Sequence, residues 1–390
     1  MRWIARILLA AFGACGAAQA QDLPPGSSLA DQNPLPRLHL NLTARGGQEK
    51  NAFLVAYGHA LFRSPEILGE KARALGLSCA TCHNNGDTNR DLFIGGLSAR
   101  KGGLDVTSAF FHATADNGIF DPIDIPSLRG VRFTGPYGHD GRIASLREFV
   151  AMVIVTEFGG AEPTTPMLDA LTAFLNQLDF LPAPYLDRSG RLNARATDAA
   201  RRGEVTFLKN CASCHEPGTY FVDGKRHDVG SGGGFDTPTL LGIAHTAPYM
   251  HDGSLATLTD VVGFFDKSLG LDLSPNERSD LTAYLEAVGT GEQPFDTDDA
   301  FRRRMRENAV FAGTLDTLIA RQDRFHTMLL VRSLSLDLRS KTAAAAATRD
   351  QPRVADLAQR MEKIGEAVLA EDWPAAKRRW DEYRAAEKEI

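Results

Sequence analysis

The apolar positions of this chain fall into three regimes. At the N-terminus an unbroken apolar run, Ile7 to about Ala14, follows Arg2 and Arg6 and leads to Ala18-Gln19-Ala20. That run is too short to span a bilayer, and with an A-x-A site behind it the pattern predicts a secretory signal cut after Ala20. Through residues 50–295, apolar residues recur at helical spacing in separate stretches. Two of them, "NAFLVAYGHALF" and "DAARRGEVTFLKN", predict helices of similar make-up. Two more open on caps, Ser145-Leu-Arg-Glu148 and Thr257-Leu-Thr-Asp260, the first with a full capping-box pattern. Behind these caps, Leu146, Phe149, Val150, Val153 and Ile154 share one helical face, as do Leu258, Val261, Val262 and Phe265. From about Phe295 glycine becomes scarce, and charged, alanine-rich stretches such as "VADLAQRMEKIGEAVLAEDW" predict two to four antiparallel helices. An appended bundle, a docking arm and a mobile tail all fit that pattern. No later segment holds eighteen unbroken apolar residues, so no transmembrane segment is expected.

The middle regime is written twice. "TGPYGHDGRIASL" begins at Thr134 and "TAPYMHDGSLATL" at Thr246, 112 residues on and without a gap. Asp124-Ile-Pro126-Ser-Leu128 and Asp236-Thr-Pro238-Thr-Leu240 repeat at the same offset. A duplication is predicted, with halves at 21–187 and 188–295 joined through the turn-rich "LPAPYLDRSG", and a helical extension at 296–390.

Charge and cysteine usage narrow the chemistry. The net charge of -6 becomes -8 once residues 1–20 take Arg2 and Arg6 away, which gives no support for nucleic-acid binding. Cys15 leaves with the signal. The other four cysteines all sit in Cys79-Ala-Thr-Cys82-His83 and Cys211-Ala-Ser-Cys214-His215. Cys-x-x-Cys-His is the attachment pattern of c-type haem: two thiols form thioethers and the adjacent imidazole, His83 or His215, ligates the iron. A thioredoxin-like pair and a zinc site are the alternatives, but two copies that use every mature cysteine, each ending in His, favour haem. The predicted fold is therefore all-α: two cytochrome c-like haem domains arising from a duplication, carrying two covalently bound haem c, plus the C-terminal helical extension. Each copy of the repeated phrase is expected to shape the surroundings of one iron. Between the first motif and its Asp-Pro element the first half is longer, with 45 positions from Cys79 to Asp124 against 25 from Cys211 to Asp236, and the insert is expected at the mouth of a site.

Residues of about 50–295, through the two haem motifs and "TAPYMHDGSLATL", resemble the bacterial di-haem cytochrome c peroxidases and the related MauG-type enzymes. The resemblance implies a periplasmic, two-domain oxidoreductase that meets hydrogen peroxide at one haem and receives electrons at the other from a small cytochrome c or cupredoxin. It implies a calcium ion between the domains, with Asp124 where the family usually has Asn and the carbonyls of Thr246 and Pro248 as further ligands; Asp124 reads equally as the cap of the turn before Pro126. It also implies Glu157 as the distal acid–base, with burial raising its pKa, against a plain reading as a solvated helix-end glutamate. Departures are several. Phe149 and Val153 stand where the family has Gln and Pro. His139 replaces the Trp between the haems, leaving Tyr137 or His139 to assist electron movement, although His139 and His251 also read as propionate partners. Phe265 occupies the usual Met or Tyr position of the second haem's sixth ligand, so Met250, His227, His245, Lys267 and His326 become candidates; His112 is the corresponding candidate at the first haem. Three functions follow as expectations: peroxide reduction, MauG-like peroxide-dependent oxidation of a protein or organic substrate, and non-enzymatic electron transfer.

Overall fold

The computed structural model describes residues 23–29, 34–41, 48–296, 300–344 and 350–389. The expected signal peptide and its cleavage after Ala20 lie outside them. The described residues are mostly helical, with long irregular loops and two very short antiparallel hairpins.

The same helix pair is built in each half. Helix α1 (Gln48–Phe62) packs on α5 (Thr165–Leu175), and α6 (Asp198–Asn210) packs on α8 (Pro275–Gly289). Both crossings are made at a glycine. A Cβ on Gly58 would lie 1.9 Å from the carbonyl oxygen of Ala170, and one on Gly203 would lie 1.9 Å from that of Asp280. One turn on, Phe62 meets Phe174 at 5.2 Å and Phe207 meets Tyr284 at 4.6 Å between ring centroids. Gly203→Ala would raise helix propensity by about 1 kcal/mol in an open helix. Here the new methyl meets backbone, which cannot swing away, so a net loss on the order of 2 kcal/mol is expected. A urea midpoint that stayed put or rose would contradict it.

Each repeated phrase follows a 3-10 turn (Val131–Phe133 and Ile243–His245), carries a cis proline (Pro136 and Pro248) and closes through one bridge, Tyr137 to Ile143 and Tyr249 to Leu255. Helices α4 (Leu146–Met152) and α7 (Leu258–Leu269) start at the predicted caps. The full capping box forms at the second, not the first. Asp260 accepts from the Thr257 amide at 2.9 Å, whereas at Ser145 only the Glu148 amide bond is made. The two hairpins, β1 (Gly103–Leu104) with β2 (Ile123–Asp124) and β3 (Arg226–Asp228) with β4 (Gly234–Asp236), end on the repeated aspartates.

The C-terminal region is four helices: α9 (Ala300–Ala320), α10 (Arg324–Ala344), α11 (Gln351–Leu369) and α12 (Trp373–Glu387). They form a bundle that shares its core with the first half, so the docking-arm and mobile-tail readings do not fit these residues. Tyr57, Leu61 and Phe174 belong to one apolar cluster with Leu315, Leu330 and Trp380, while Phe207, Tyr284 and Val288 form a separate cluster in the second half. At the seam the ring of His59 stacks on Phe174 at 4.5 Å and meets the edge of Phe311 at 4.7 Å. Ser64 and Ser333 share a buried hydrogen bond of 2.5 Å.

Candidate haem, cation and acid–base sites

In the first motif, α3 (Cys79–Cys82) is a single turn whose Ser78 cap and Thr81 side chain bond reciprocally. The chain then leaves the helix at His83, and His83 Nδ1 lies 3.0 Å from the carbonyl oxygen of Pro126. In the second, the Cys211–Cys214 turn follows α6, and His215 Nδ1 lies 2.9 Å from the carbonyl oxygen of Phe221. A carbonyl only accepts, so both Nδ1 atoms carry the hydrogen and donate it, leaving Nε2 as a free lone pair. Burial holds the imidazoles neutral: it lowers His83 to about 4 and lowers His215 as well. This is the tautomer and orientation a metal-ligating histidine needs.

The cysteines discriminate among the three readings of their motif. A thioredoxin-like pair works through a depressed thiolate, but burial pushes Cys79 and Cys82 up to about 12 and Cys211 up to about 11. A zinc site would gather both thiols of a pair with further ligands. Among the described residues one three-ligand cluster is within reach of a metal, Cys214 with Asp223 and His227, and it holds one thiol only. The fit to haem is better. Around the second motif Leu240, Leu241, Ile243, Tyr249, Phe264 and Phe265 are only half-buried although apolar, an open surface that a porphyrin would cover.

The repeated phrases cross over. The amide of Asp124 donates to the carbonyl of His251 at 2.8 Å, and the amide of Asp236 donates to that of His139 at 2.9 Å. Each phrase thus closes on the Asp-Pro element of the opposite half, in addition to its expected neighbourhood in its own. Burial lowers His139 to about 4, and the neighbouring His251 and Arg142 push it the same way. The ring of His251 stacks on Phe235 at 3.9 Å.

At the expected calcium position the Asp124 carboxyl is pushed up to about 8 by desolvation, with Arg100 pulling the other way. Arg100 also donates to the carbonyl of Gly253. A Cβ on Gly253 would lie 3.0 Å from the Pro248 ring and 3.4 Å from Asp124 Oδ1, so the second phrase and Asp124 meet at this glycine. The carbonyls of Thr246 and Pro248 accept no hydrogen bond among the described residues. Desolvated oxygen donors of this kind suit a hard cation. The Ile125 amide, which donates to the Gly102 carbonyl at 2.9 Å, lies close enough to favour the charged carboxylate slightly.

Glu157 ends a π-helical turn, Val153–Glu157, in which the Phe158 amide bonds the Val153 carbonyl at 3.2 Å. The run Val153-Ile154-Val155-Thr156 is wholly β-branched and crowds an ordinary helix. The wider turn buries both Ile154 and Glu157. Glu157 is only 8% exposed, so the solvated-glutamate reading fails. Burial raises its pKa to about 7, and Arg142 opposes the rise. Arg142 donates to Glu157 Oε1 at 3.2 Å and to Asp140 Oδ1 at 2.9 Å. From the insert, His112 reaches the same segment: its Nδ1 lies 3.2 Å from the Thr156 carbonyl, and its ring sits against Gly159. Phe149 packs against Tyr137, with the Arg142 guanidinium 5.9 Å from its ring. Sequence reasoning missed Arg142. The signal was a difference between the copies, Asp-Gly-Arg142 in the first and Asp-Gly-Ser254 in the second.

The sixth-ligand candidates separate. His326 lies in the seam between the bundle and the first half, with Nε2 2.9 Å from Thr164 Oγ1 and Nδ1 2.7 Å from Asp323. Both nitrogens are engaged, which removes it. His227 Nε2 is held by Asp223 at 2.7 Å, and Lys267 points to solvent. Phe265 meets Phe264 edge-on and has no lone pair to give. His245, whose Nε2 is buried without a partner, and the half-buried Met250 are left.

No family model matches the chain. It is 26% identical over 296 residues to the methylamine utilization protein MauG of Methylorubrum extorquens, covering 60% of this chain and 77% of that one. It is 23% identical over 295 residues to cytochrome c551 peroxidase of Nitrosomonas europaea, covering 63% and 82%. These relatives are consistent with the di-haem cytochrome c peroxidase and MauG superfamily. Hydrazine synthase subunit gamma of Kuenenia stuttgartiensis is also similar, at 27% over 225 residues, and the match spans 63% of that subunit's length and 41% of this chain. The chain has no tryptophan between Trp3 and Trp373, and Phe265 stands where the resemblance implies an iron ligand. Among the described residues no helix is long and apolar enough to cross a membrane.

Proposed function

We propose that the protein is an exported di-haem c-type oxidoreductase that reduces hydrogen peroxide with electrons from a small cytochrome c or cupredoxin. The observation that carries this reading is Glu157: a buried carboxyl with its pKa raised to about 7, held by Arg142 on the segment to which the family resemblance assigns the acid–base. Two haems c, held by Cys79, Cys82 and His83 and by Cys211, Cys214 and His215, supply iron redox chemistry when bound. The rest is the work of the chain. Glu157 takes a proton from the peroxide and returns it to the departing oxygen. Arg142 fixes the carboxylate and stabilises its charged form. The Pro126 and Phe221 carbonyls aim the two imidazoles through Nδ1. Asp124, with the Thr246 and Pro248 carbonyls, holds calcium across the halves.

The decisive experiment uses matured protein whose mass shows two added porphyrins. Steady-state peroxide reduction with a reduced small cytochrome supports the reading; two bound haems inert to peroxide would overturn it. A second reading, MauG-like oxidation of a protein or organic substrate, is favoured by the apolar wall that Phe149 and Tyr137 form beside Arg142. Peroxide consumption that depends on such a substrate, and not on a reduced cytochrome, would select it.

A further inference from the structure

The crossing of the two phrases has a consequence on its far side. The backbone setting of Asp124 recurs around Asp236. Asp236 ends β4 as Asp124 ends β2, and each aspartate donates its amide to the histidine carbonyl of the opposite phrase. A Cβ on Gly141 would lie 3.0 Å from the Pro136 ring and 3.4 Å from the Asp236 side chain, matching the approach of Gly253 to Pro248 and Asp124. As at Thr246 and Pro248, the carbonyls of Thr134 and Pro136 accept no hydrogen bond among the described residues.

The two places differ in one respect, and the difference points to a ligand. Beside Asp124 stands the Arg100 guanidinium, which supplies a positive charge. Among the described residues no arginine or lysine supplies such a charge to Asp236, whose carboxylate is favoured only by the neighbouring Thr237 amide and by His227. The charges it feels are those of Asp223 and His227, which are paired with each other at 2.7 Å, and the guanidinium of Arg226 is spent on the Gly234 carbonyl. Asp236 Oδ1 is buried with no hydrogen-bond partner. A buried, unpartnered carboxylate oxygen is unfavourable, and more so when charged, unless something neutralises it.

We propose that Asp236, with the backbone carbonyls of Thr134 and Pro136, forms a second binding site for a hard divalent cation of the calcium type, holding the first phrase on the second half. The donors are all oxygen, which excludes a thiolate- or imidazole-seeking metal. Three protein donors leave half or more of a six- to eight-fold calcium shell to water, which puts affinity at the weak end, with a Kd of about 10⁻⁴–10⁻³ M. The desolvation that lifts the Asp236 carboxyl to about 6 is the cost such an ion would offset. The inference rests on the repeated geometry and the orphaned oxygen, and it stands whether or not Asp124 binds calcium.

The test is equilibrium dialysis of full-length, haem-loaded, chelator-treated protein against calcium alone, up to several times that Kd, with calcium counted per chain. Two ions are expected, falling to one in Asp236→Ala and to one in Asp124→Ala. If wild type binds one ion that Asp236→Ala loses and Asp124→Ala keeps, the new site stands and the Asp124 reading falls. If wild type and Asp236→Ala bind the same number with the same affinity, the new site is overturned, as it is if wild type binds none. Haem absorption and circular dichroism check that each variant is folded. Should the alanine variant not fold, Asp236→Asn, which keeps the shape and drops the charge, is expected to weaken the second site at least tenfold, and unchanged binding would again overturn it.

Discussion

Glu157→Gln is expected to slow the reaction with hydrogen peroxide by about 10²–10⁴-fold, the range that a positioned acid–base contributes. Glutamine keeps the shape and a hydrogen-bonding oxygen for Arg142, so fold and haem content should survive and the loss can be assigned to proton transfer. The pH dependence sharpens this. Burial raises the carboxyl to about 7. Below that pH Glu157 is protonated and cannot accept the peroxide proton; above it the carboxylate is available. The wild-type rate should therefore climb through pH about 7 and level off, and the Gln variant should lack that step. Arg142→Met removes the charge that favours the carboxylate, so the step should move to higher pH. Stopped-flow mixing with peroxide from roughly pH 5 to 9 reads all three, a span on either side of the shifted carboxyl. A Gln variant with the wild-type rate and profile would end the acid–base assignment.

What sequence could show about this site divides along a physical line. The haem motifs, the ends of α6 and the cap at Thr257 are local: few residues, fixed offsets, short-range bonds. They are where the sequence placed them. The π turn at Val153–Glu157 was hidden because α4 begins with an ordinary helical pattern, and four β-branched residues in a row do not by themselves announce a change of pitch. The Arg142–Glu157 pair bridges 15 residues, and only the Arg/Ser difference between the phrases hinted at it. The crossing of the phrases was beyond reach, since a repeat looks the same whether each copy serves its own half or the other. His326 failed for a similar reason. A histidine on a helical face is as good a ligand as a seam residue until Thr164, 162 positions away, is found beside it.

The C-terminal bundle makes the same point at larger scale and yields the second strong expectation. A chain ending at residue 299 should lose the native packing of its first half. The contacts at stake lie inside the core: Tyr57, Ala60, Leu61 and Phe62 are each under 5% exposed, in the same cluster as Phe311, Leu315 and Leu330. Re-exposing a large apolar side chain costs about 1.5–3 kcal/mol, so a handful of them matches the 5–15 kcal/mol that hold a typical domain together. His59 gives a specific marker. Burial between Phe174 and Phe311 lowers its pKa to about 3, so at neutral pH it is an uncharged ring in an apolar sandwich. With Phe311 gone, water reaches the imidazole and its pKa should return towards 6.5. It would then charge on mild acidification and pry the α1–α5 pair further apart. The second half keeps its own core around Phe207, Tyr284 and Val288 and should resist. Limited proteolysis read by mass spectrometry would show cleavage concentrated between residues 48 and 180, with the fragment from about 190 to 295 protected. Equal protection of both halves in the shortened chain would mean that the bundle only rests on the first half and does not complete it.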